Sequence, residues 1–476
     1  MDDPRKDYNE KRRAHWDRVS AAYGRPGRAG AFYHRLVARL FSFLVPPGRR
    51  VLELGCGQGD LLAALAPSLG VGVDFSGRMI EEAQKRHPGL TFVKADAADF
   101  DFPEKFDFII LSDLVNDLWD AQEVLRRLSP LCHPGTRVLV NFYNNLWRVP
   151  LAVVRRLGLG ADLLTQNWFS PHDVINLLTL SGFEVLKRSI GILLPLDIPL
   201  VSGFLNRYLV HFWPFSLFAL TNIVAARPAP APRAAPPLVT VVIPARNEAG
   251  NIASAVPRVP EMGAGTEIIF VEGHSKDDTW EAIEKAVAEN PGRRVRAFRQ
   301  TGAGKGDAVR LGFEKAAGEV LMILDADLTM PPEYLPRFYE ALVSGQGEFV
   351  NGVRLVYPME DGSMRFLNML GNKFFSLAFT WLLGQPIKDT LCGTKVLYKK
   401  DYEELVRNRS YFGDFDPFGD FDLLFGAARL NLKIVEVPIR YRFRTYGATN
   451  IARFTQGFAL LKMAAFAARR IKFLQV

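Results

Sequence analysis

The chain has 476 residues, 48% hydrophobic and 23% charged, with a formal net charge of +8. That length accommodates two or three domains with separate cores, and the composition excludes a disordered or coiled-coil chain. A modest positive charge without a basic run or an aromatic ladder argues against a nucleic-acid partner and suits phosphorylated substrates or a membrane surface. Three cysteines, Cys56, Cys132 and Cys392, form no C-x-x-C pair. No disulfide framework or zinc site is expected, and a reducing compartment is. The N-terminus is charged and lacks an apolar core, so it does not read as a signal peptide, and a cytoplasmic location follows.

In chain order, a charged segment near 5–20 and an amphipathic stretch from Gly30 to Leu44 read as helices. After Pro46-Pro47-Gly48, short apolar strands near 50–54, 69–74, 91–95, 106–111 and 136–142 alternate with helical segments. That alternation is the pattern of a parallel, doubly wound sheet. The first strand, Val51-Leu52-Glu53-Leu54, runs into Gly55-Cys56-Gly57-Gln58-Gly59 and then a helix. Glycines let the backbone approach a ligand closely, and a helix N-terminus offers free N–H groups. Asp74 ends the second strand, about 20 positions after Glu53, a spacing at which a carboxylate can hold ribose hydroxyls. Asp96 follows the third strand.

A glycine turn of the form Gly-x-Gly-x-Gly with these three acids resembles class I S-adenosylmethionine-dependent methyltransferases, over roughly residues 30–226. The resemblance implies that Glu53 is among the cofactor-binding residues and that the loop of Gly55, Gly57 and Gly59 carries the methionine part of the cofactor. Asp74 would hold the ribose, and Asp96 with Ala97 the adenine. Ser112-Asp113-Leu114-Val115-Asn116 would face the reactive methyl group. Trp168-Phe169-Ser170-Pro171 and Gly182-Phe183-Glu184-Val185 also look like the later part of this family. No catalytic base stands out; Tyr33 and His34 lie on an amphipathic helix, where packing is the expected role.

Residues 189–225 are apolar but interrupted by Pro195, Asp197, Pro199, Arg207, His211 and Pro214, too often for a membrane span, and read as buried strands ending a domain. Proline at nearly alternate positions marks residues 227–237 as a linker, a spacer of roughly 35–40 Å in polyproline II geometry.

A second strand–helix series follows, with strands near 238–243, 267–271, 294–298, 319–324 and 434–439. Its first strand ends in Pro244-Ala245-Arg246-Asn247-Glu248, its second in Glu272-Gly273-His274-Ser275. Gly302-Ala303-Gly304-Lys305-Gly306-Asp307 makes a basic, glycine-rich loop suited to phosphate. Leu321-Met322-Ile323-Leu324 then ends in Asp325-Ala326-Asp327. Carboxylates at i and i+2 of an extended backbone share one side, and hard oxygen ligands at a strand mouth suit Mg2+ or Mn2+ carrying a diphosphate.

These elements in order resemble glycosyltransferase family 2 with the GT-A fold, closest to its polyprenyl-phosphate sugar synthase branch, over about 238–455. Asn351-Gly352-Val353-Arg354, Asp389 to Lys395, Gly419-Asp420-Phe421-Asp422, and Val437-Pro438-Ile439 with Arg444 and Gly447 fit its later motifs. The resemblance implies that Pro244, Arg246, Glu248 and Glu272 line the nucleotide pocket and that Asp325 and Asp327 hold the metal. Lys305, Arg354 and Arg444 would steady donor or acceptor phosphates. The implied reaction is inverting single displacement; a lipid phosphate acceptor needs no base, and for a hydroxyl acceptor Asp420 or Asp422 is the candidate. Gly273, Thr329 and Asn450 depart from the family pattern, which leaves the nucleobase and the sugar open.

From Ile451 onward apolar residues such as Phe454, Phe458 and Leu461 interleave with Arg453, Lys462, Arg469, Arg470 and Lys472, and no acid occurs. This basic amphipathic helix, 456–476, either packs on its domain or makes peripheral contact with an anionic membrane surface. The expected fold is thus α/β in two domains: a Rossmann-like methyltransferase sheet over 1–226, the linker, and a GT-A sheet over 238–455. The expected activity is metal-dependent transfer of a sugar from a nucleotide-sugar donor to a polyprenyl phosphate or glycan acceptor, with S-adenosylmethionine-dependent methyl transfer. The alternative is a glycosyltransferase carrying a non-catalytic, S-adenosylmethionine-binding scaffold.

Overall fold

The structure is a computed structural model that describes residues 4–22, 29–156, 164–231, 235–354, 356, 366–407, 420–442, 444, 446 and 453–473. It divides into two compact units, Met1–Ala229 with Lys472–Val476, and Pro230–Ile471.

The first unit runs α1 (Pro4–Val19), α2 (Ala29–Leu44), β1 (Arg50–Leu54), α3 (Asp60–Ala64), β2 (Leu69–Asp74), α4 (Gly77–Arg86), β3 (Thr91–Lys94) and β4 (Phe106–Ser112). It continues with α5 (Ala121–Arg126), β5 (Cys132–Tyr143), α6 (Arg148–Arg156), α7 (Pro171–Leu180), β6 (Phe183–Gly191), α8 (Val201–Arg207) and β7 (Thr221–Pro228). Side-chain caps start the helices where the chain leaves the sheet: Ser76 accepts from Met79 N–H, Asp120 from Glu123 N–H, and Ser170 with Asp173 forms a reciprocal box. The strands lie in the order β3-β2-β1-β4-β5-β7-β6. Leu52, Leu54, Ile109 and Val138 pack with Val124, Val174 and Leu178 of α5 and α7, while Val51, Ile110 and Leu139 pack with Leu36, Leu62 and Ile80 of α2, α3 and α4. Successive strand residues thus serve opposite layers, as the two-residue repeat requires.

The sheet is mixed rather than all parallel, because β7 pairs antiparallel with both β5 and β6. The 189–225 stretch also departs from expectation. Only its ends, in β6 and β7, are strand; between them α8 and short 3-10 turns leave many apolar side chains exposed. The proline-rich segment begins inside the sheet, with Pro228 opposite Phe183 as the last residue of β7 and Arg227 held by Glu184 at 2.6 Å. Proline is tolerated at the end of a strand, where its missing N–H interrupts no further ladder bond.

The second unit runs β8 (Val239–Ala245), α9 (Ala249–Arg258), β9 (Thr266–Glu272), α10 (Thr279–Glu289), β10 (Arg294–Arg299), α11 (Lys305–Lys315), β11 (Val320–Ile323) and α12 (Leu335–Val343). Then come β12 (Phe349–Val353), α13 (Phe366–Leu383), β13 (Lys395–Tyr398), α14 (Lys399–Arg407), α15 (Asp420–Arg429), β14 (Ile434–Pro438) and α16 (Arg453–Ala467). The sheet order is β10-β9-β8-β11-β13-β12-β14, with β13 antiparallel to both neighbours. Ile269, Val271, Leu321 and Ile323 face α11, α13 and α15, whereas Ile268, Phe270 and Met322 face α9, α10 and α12. Both faces are therefore covered. On α16, Met463 and Ala467 are buried while Phe458 and Leu461 are exposed. Among the described residues no helix is long and apolar enough to cross a membrane.

Candidate functional site

In the second unit β8, β9 and β11 are parallel neighbours, so their C-terminal ends open at one edge. The sheet order changes direction beside β8, which leaves a crevice at that edge. Because β13 runs antiparallel to β11, the loop from Asp389 to Thr394 that enters β13 arrives at the same mouth.

The Asp325 carboxylate is met at 2.6 Å by Nζ of Lys305, the first residue of α11. Burial pushes this carboxyl up, but the charges of Lys305, Lys395 and Arg354 outweigh burial and hold it below the usual range. Gly393 lies so close that a Cβ there would stand 2.2 Å from Asp325 Oδ2 and 2.4 Å from Lys305 Nζ. No other residue fits without moving the carboxylate. Asp327 accepts from Thr329 Oγ1 at 2.8 Å and from Arg444 Nη2 at 2.7 Å. Arg444 also reaches Glu248 Oε1 at 3.1 Å, and Glu248 accepts from Asn251 at 2.7 Å. Burial raises the Glu248 carboxyl despite Arg444, with Asp325 and Asp327 adding to the rise.

The two aspartates stand beyond the end of β11 in a turn, not on alternate positions of an extended strand. After β11 the chain folds back, with Leu328 N–H donating to Asp325 O and Leu328 at a positive φ of 50°. Their oxygens are hard donors that fit Mg2+ or Mn2+. Among the described residues no third His, Cys, Asp or Glu completes a metal cluster. A divalent ion here would draw its other ligands from substrate oxygens and water, and would displace Lys305 and Arg444 from the carboxylates.

Of the other expected residues, Glu272 is buried at the end of β9 and accepts from Ser275 N–H, Pro244 is half-buried, and Arg246 is exposed at the β8 mouth. Arg354 is not aimed outward. It makes a bidentate pair with the fully buried Asp389 at 2.7 and 2.9 Å, and its guanidinium lies 5.2 Å over the Tyr441 ring. Asp422 is half-buried on α15. The Asp420 side chain and residues Gly447 and Asn450 lie outside the described residues. His274 takes a structural role, its Nε2 2.9 Å from Gly302 O, which ties the β9 loop to the glycine-rich loop.

In the first unit Asp74 closes the glycine turn, accepting from Gly57 N–H at 3.0 Å and from Ser76 N–H at 2.9 Å. Burial lifts its carboxyl to about 6 against those two bonds. Gly59 has φ +77°, and a Cβ there would meet the Phe92 ring at 2.5 Å. Glu53 is buried with Oε2 unpartnered, and burial raises its carboxyl well above the usual range. An orphaned buried oxygen below a glycine turn suits a ligand donor such as an amine. Asp96 accepts from Ala98 N–H at 2.9 Å, and Ala97 beside it is half-buried.

Two features here go beyond the sequence reading, which set Asp113 in the strand-four segment facing the methyl group but gave it no partner and named no role for the first helix. Asp113, just past the end of β4, accepts from Tyr33 Oη at 3.0 Å and from Asn141 Nδ2 at 2.8 Å, and Tyr33 also reaches Thr221 Oγ1 at 3.1 Å. Burial drives the Asp113 carboxyl to about 7 in spite of both donors. Tyr33 is therefore more than a packing residue. Helix α1 lies across the loops that leave β1, β2, β3 and β4. Asn9 donates to Asp96 at 2.7 Å, Arg12 and Trp16 hold Asp117 at 2.9 and 2.8 Å, Asp17 accepts from Ser76 at 2.5 Å, and Gln58 donates to Ser20 O at 2.8 Å. All three cysteines are buried free thiols.

A family model described as Glycosyl transferase family 2 matches residues 240–406, and one described as Methyltransferase domain matches residues 51–135. The chain is 29% identical over 219 residues to a dolichol-phosphate mannosyltransferase of Pyrococcus furiosus, covering 45% of this chain and 59% of that one. It is 33% identical over 181 residues to an undecaprenyl-phosphate 4-deoxy-4-formamido-L-arabinose transferase of Pseudomonas aeruginosa, covering 37% of this chain and 52% of that one. The chain thus spans a little over half the length of these curated relatives. Among solved structures, an S-adenosylmethionine dependent methyltransferase from Mesorhizobium loti is 19% identical with TM-score 0.31, covering 40% of this chain and 96% of that one. The chain joins a methyltransferase domain to a glycosyl transferase family 2 domain, one in each unit.

Proposed function

We propose that the second unit transfers a sugar from a nucleotide-sugar donor to a polyprenyl phosphate or glycan acceptor, with inversion, and that the first unit transfers a methyl group from S-adenosylmethionine. The observation that carries the first half is the pair of ion-pair groups, Asp325–Lys305 and Asp327–Arg444–Glu248, with both aspartates just past β11 and Glu248 just past its parallel neighbour β8. The relatives' names, both polyprenyl-phosphate sugar transferases, support the acceptor class.

In the proposed step an acceptor oxygen attacks the anomeric carbon while the bond to the diphosphate breaks, and the leaving group gains negative charge. A divalent cation bound to Asp325 and Asp327 would supply part of the neutralisation. Lys305 and Arg444, paired now with those carboxylates, then turn their charge to the phosphate oxygens. Arg354 serves by position: locked to Asp389, it holds the loop that presents Gly393 to Asp325. A phosphate acceptor arrives ionised, and a hydroxyl acceptor gives its proton to Asp420 or Asp422.

In the first unit Asp74 binds the ribose hydroxyls, Asp96 the adenine and Glu53 the glycine-turn end of the cofactor. Asp113, near 7 and at the strand-four mouth, would take the proton from the methyl acceptor as its bond to the methyl carbon forms and the sulfur–methyl bond breaks, releasing S-adenosylhomocysteine. The Asn9–Asp96 bond supports a second reading, in which α1 holds the adenine side closed and the unit binds cofactor without turning it over.

Calorimetry tests both halves. UDP, GDP or dTDP should bind with Mn2+ and fail to bind the Asp325→Ala/Asp327→Ala chain. S-adenosylhomocysteine should bind with an affinity that Asp74→Asn lowers. Absence of both would overturn the proposal, and cofactor binding without methyl transfer to any acceptor would leave the second reading standing.

A further inference from the structure

We propose that the first unit carries a bilayer-docking surface, formed by the Ile192–Leu220 segment with α6, which seats on anionic lipid. The segment is built inside out. On α8 the buried side chains are the polar Ser202 and Asn206, whereas Val201 and Phe204 face solvent. An ordinary surface helix does the reverse.

The polar groups within are fully used. Asn206 accepts from Leu193 and Leu194 N–H at 2.8 and 2.7 Å and donates to Leu194 O at 2.8 Å, and Ser202 links Ile198 N–H to Leu196 O. The loop is therefore fixed by its own hydrogen bonds, with its apolar groups turned outward. Leu200 is 91% exposed and Trp213 79%. Asn144 and Trp147, at the entry to α6, donate to the carbonyls of Leu217 and Phe218 at 2.9 and 2.8 Å, so α6 continues the same surface and adds the exposed Leu146, Val149 and Val153. At the other side the Phe473 ring lies tilted against that of Tyr208, with centroids 5.2 Å apart. Patches of this kind on a soluble surface mark an interaction site.

Charge selects the occupant. Asp197 is the sole carboxylate in 146–156 and 193–218, and it is paired with Arg35 at 2.9 Å. Arg148 and Arg156 are exposed, and Arg207 lies beside the Tyr208 ring at 5.2 Å. Apolar and aromatic tips within a cationic rim match an anionic bilayer interface, where Trp and Tyr settle at the headgroups and Arg meets the phosphates. A second copy would bring the same cations together. The inference does not depend on the donor, the acceptor or catalysis.

The test is flotation of the full chain with phosphatidylcholine vesicles, with and without phosphatidylglycerol. Binding should require phosphatidylglycerol and weaken as salt rises. Leu200→Ser/Trp213→Ser should lower the bound fraction about tenfold, while the charge reversal Arg469→Glu/Arg470→Glu on the chain following α16 should lower it less. Retained S-adenosylhomocysteine affinity and melting temperature would show that the variants remain folded. Undiminished binding by Leu200→Ser/Trp213→Ser, or no binding by the wild-type chain, would overturn the proposal. So would a lipid-free dimer that this variant dissolves, because the surface would then belong to a second copy.

Discussion

Asp113 is the residue whose behaviour the geometry constrains most. Its carboxyl is raised from 3.8 to about 7, so the folded chain holds the proton more tightly than the unfolded chain does. Stability from this group is full below the unfolded value and is lost as pH rises through the folded one, a swing of roughly 4 kcal/mol. Methyl transfer should therefore rise through about pH 7 as the base form appears, while thermal stability falls. Asp113→Asn should abolish the rising limb of the rate profile and remove the fall in melting temperature. In the second unit Asp389→Asn leaves the buried Arg354 guanidinium with half its fork unmet. Breaking such a buried pair costs about 3–5 kcal/mol, so the second unit's melting transition should drop by several degrees. Gly393→Ala should leave that transition nearly intact and still lower sugar transfer at least about tenfold, because the new methyl group must displace Asp325 or Lys305.

Helix α1 shows why some elements escape the sequence. It is charged throughout, with no apolar stripe to orient it, and its role rests on Asn9, Arg12, Trp16 and Asp17, which together meet three strand-end loops at Asp96, Asp117 and Ser76. Side chains that act only through distant partners leave no periodic trace. Asn9→Ala/Asp17→Ala should speed dissociation of S-adenosylhomocysteine severalfold, measured by stopped-flow fluorescence, without altering the fold; an unchanged rate would mean that α1 does not gate the cofactor. Strand-end motifs behave oppositely. Gly55 to Gly59 with Asp74, and Asp325 with Asp327, were legible because apolar runs ending in glycine or acid mark the mouth of a parallel strand. The short strand β13 was not, since it lies within motif residues and turns antiparallel only through its tertiary neighbours. The inverted α8 was misread for a related reason: apolar composition implies burial, and only the structure reveals which face looks out.

At the scale of the molecule, both sheets hold their candidate site residues at the C-terminal edges of parallel strands, and both add an antiparallel strand on one side. The methyltransferase match and the glycosyl transferase family 2 match fall in separate units of one chain. The two-domain division and the α/β class were legible in the sequence, because each domain has its own glycine or carboxylate landmarks. The Arg354–Asp389 pair was not, because pairing between residues so far apart in sequence has no local signal. Asp325 and Asp327 are the residues on which the proposed sugar transfer turns. Its most direct test is turnover of UDP-, GDP- and dTDP-sugars by the full chain with Mn2+ and a polyprenyl phosphate, read as release of nucleoside diphosphate and formation of a sugar-bearing lipid. One donor should be consumed, and Asp325→Ala/Asp327→Ala should abolish its consumption. Turnover that survives in the double variant would contradict the proposal.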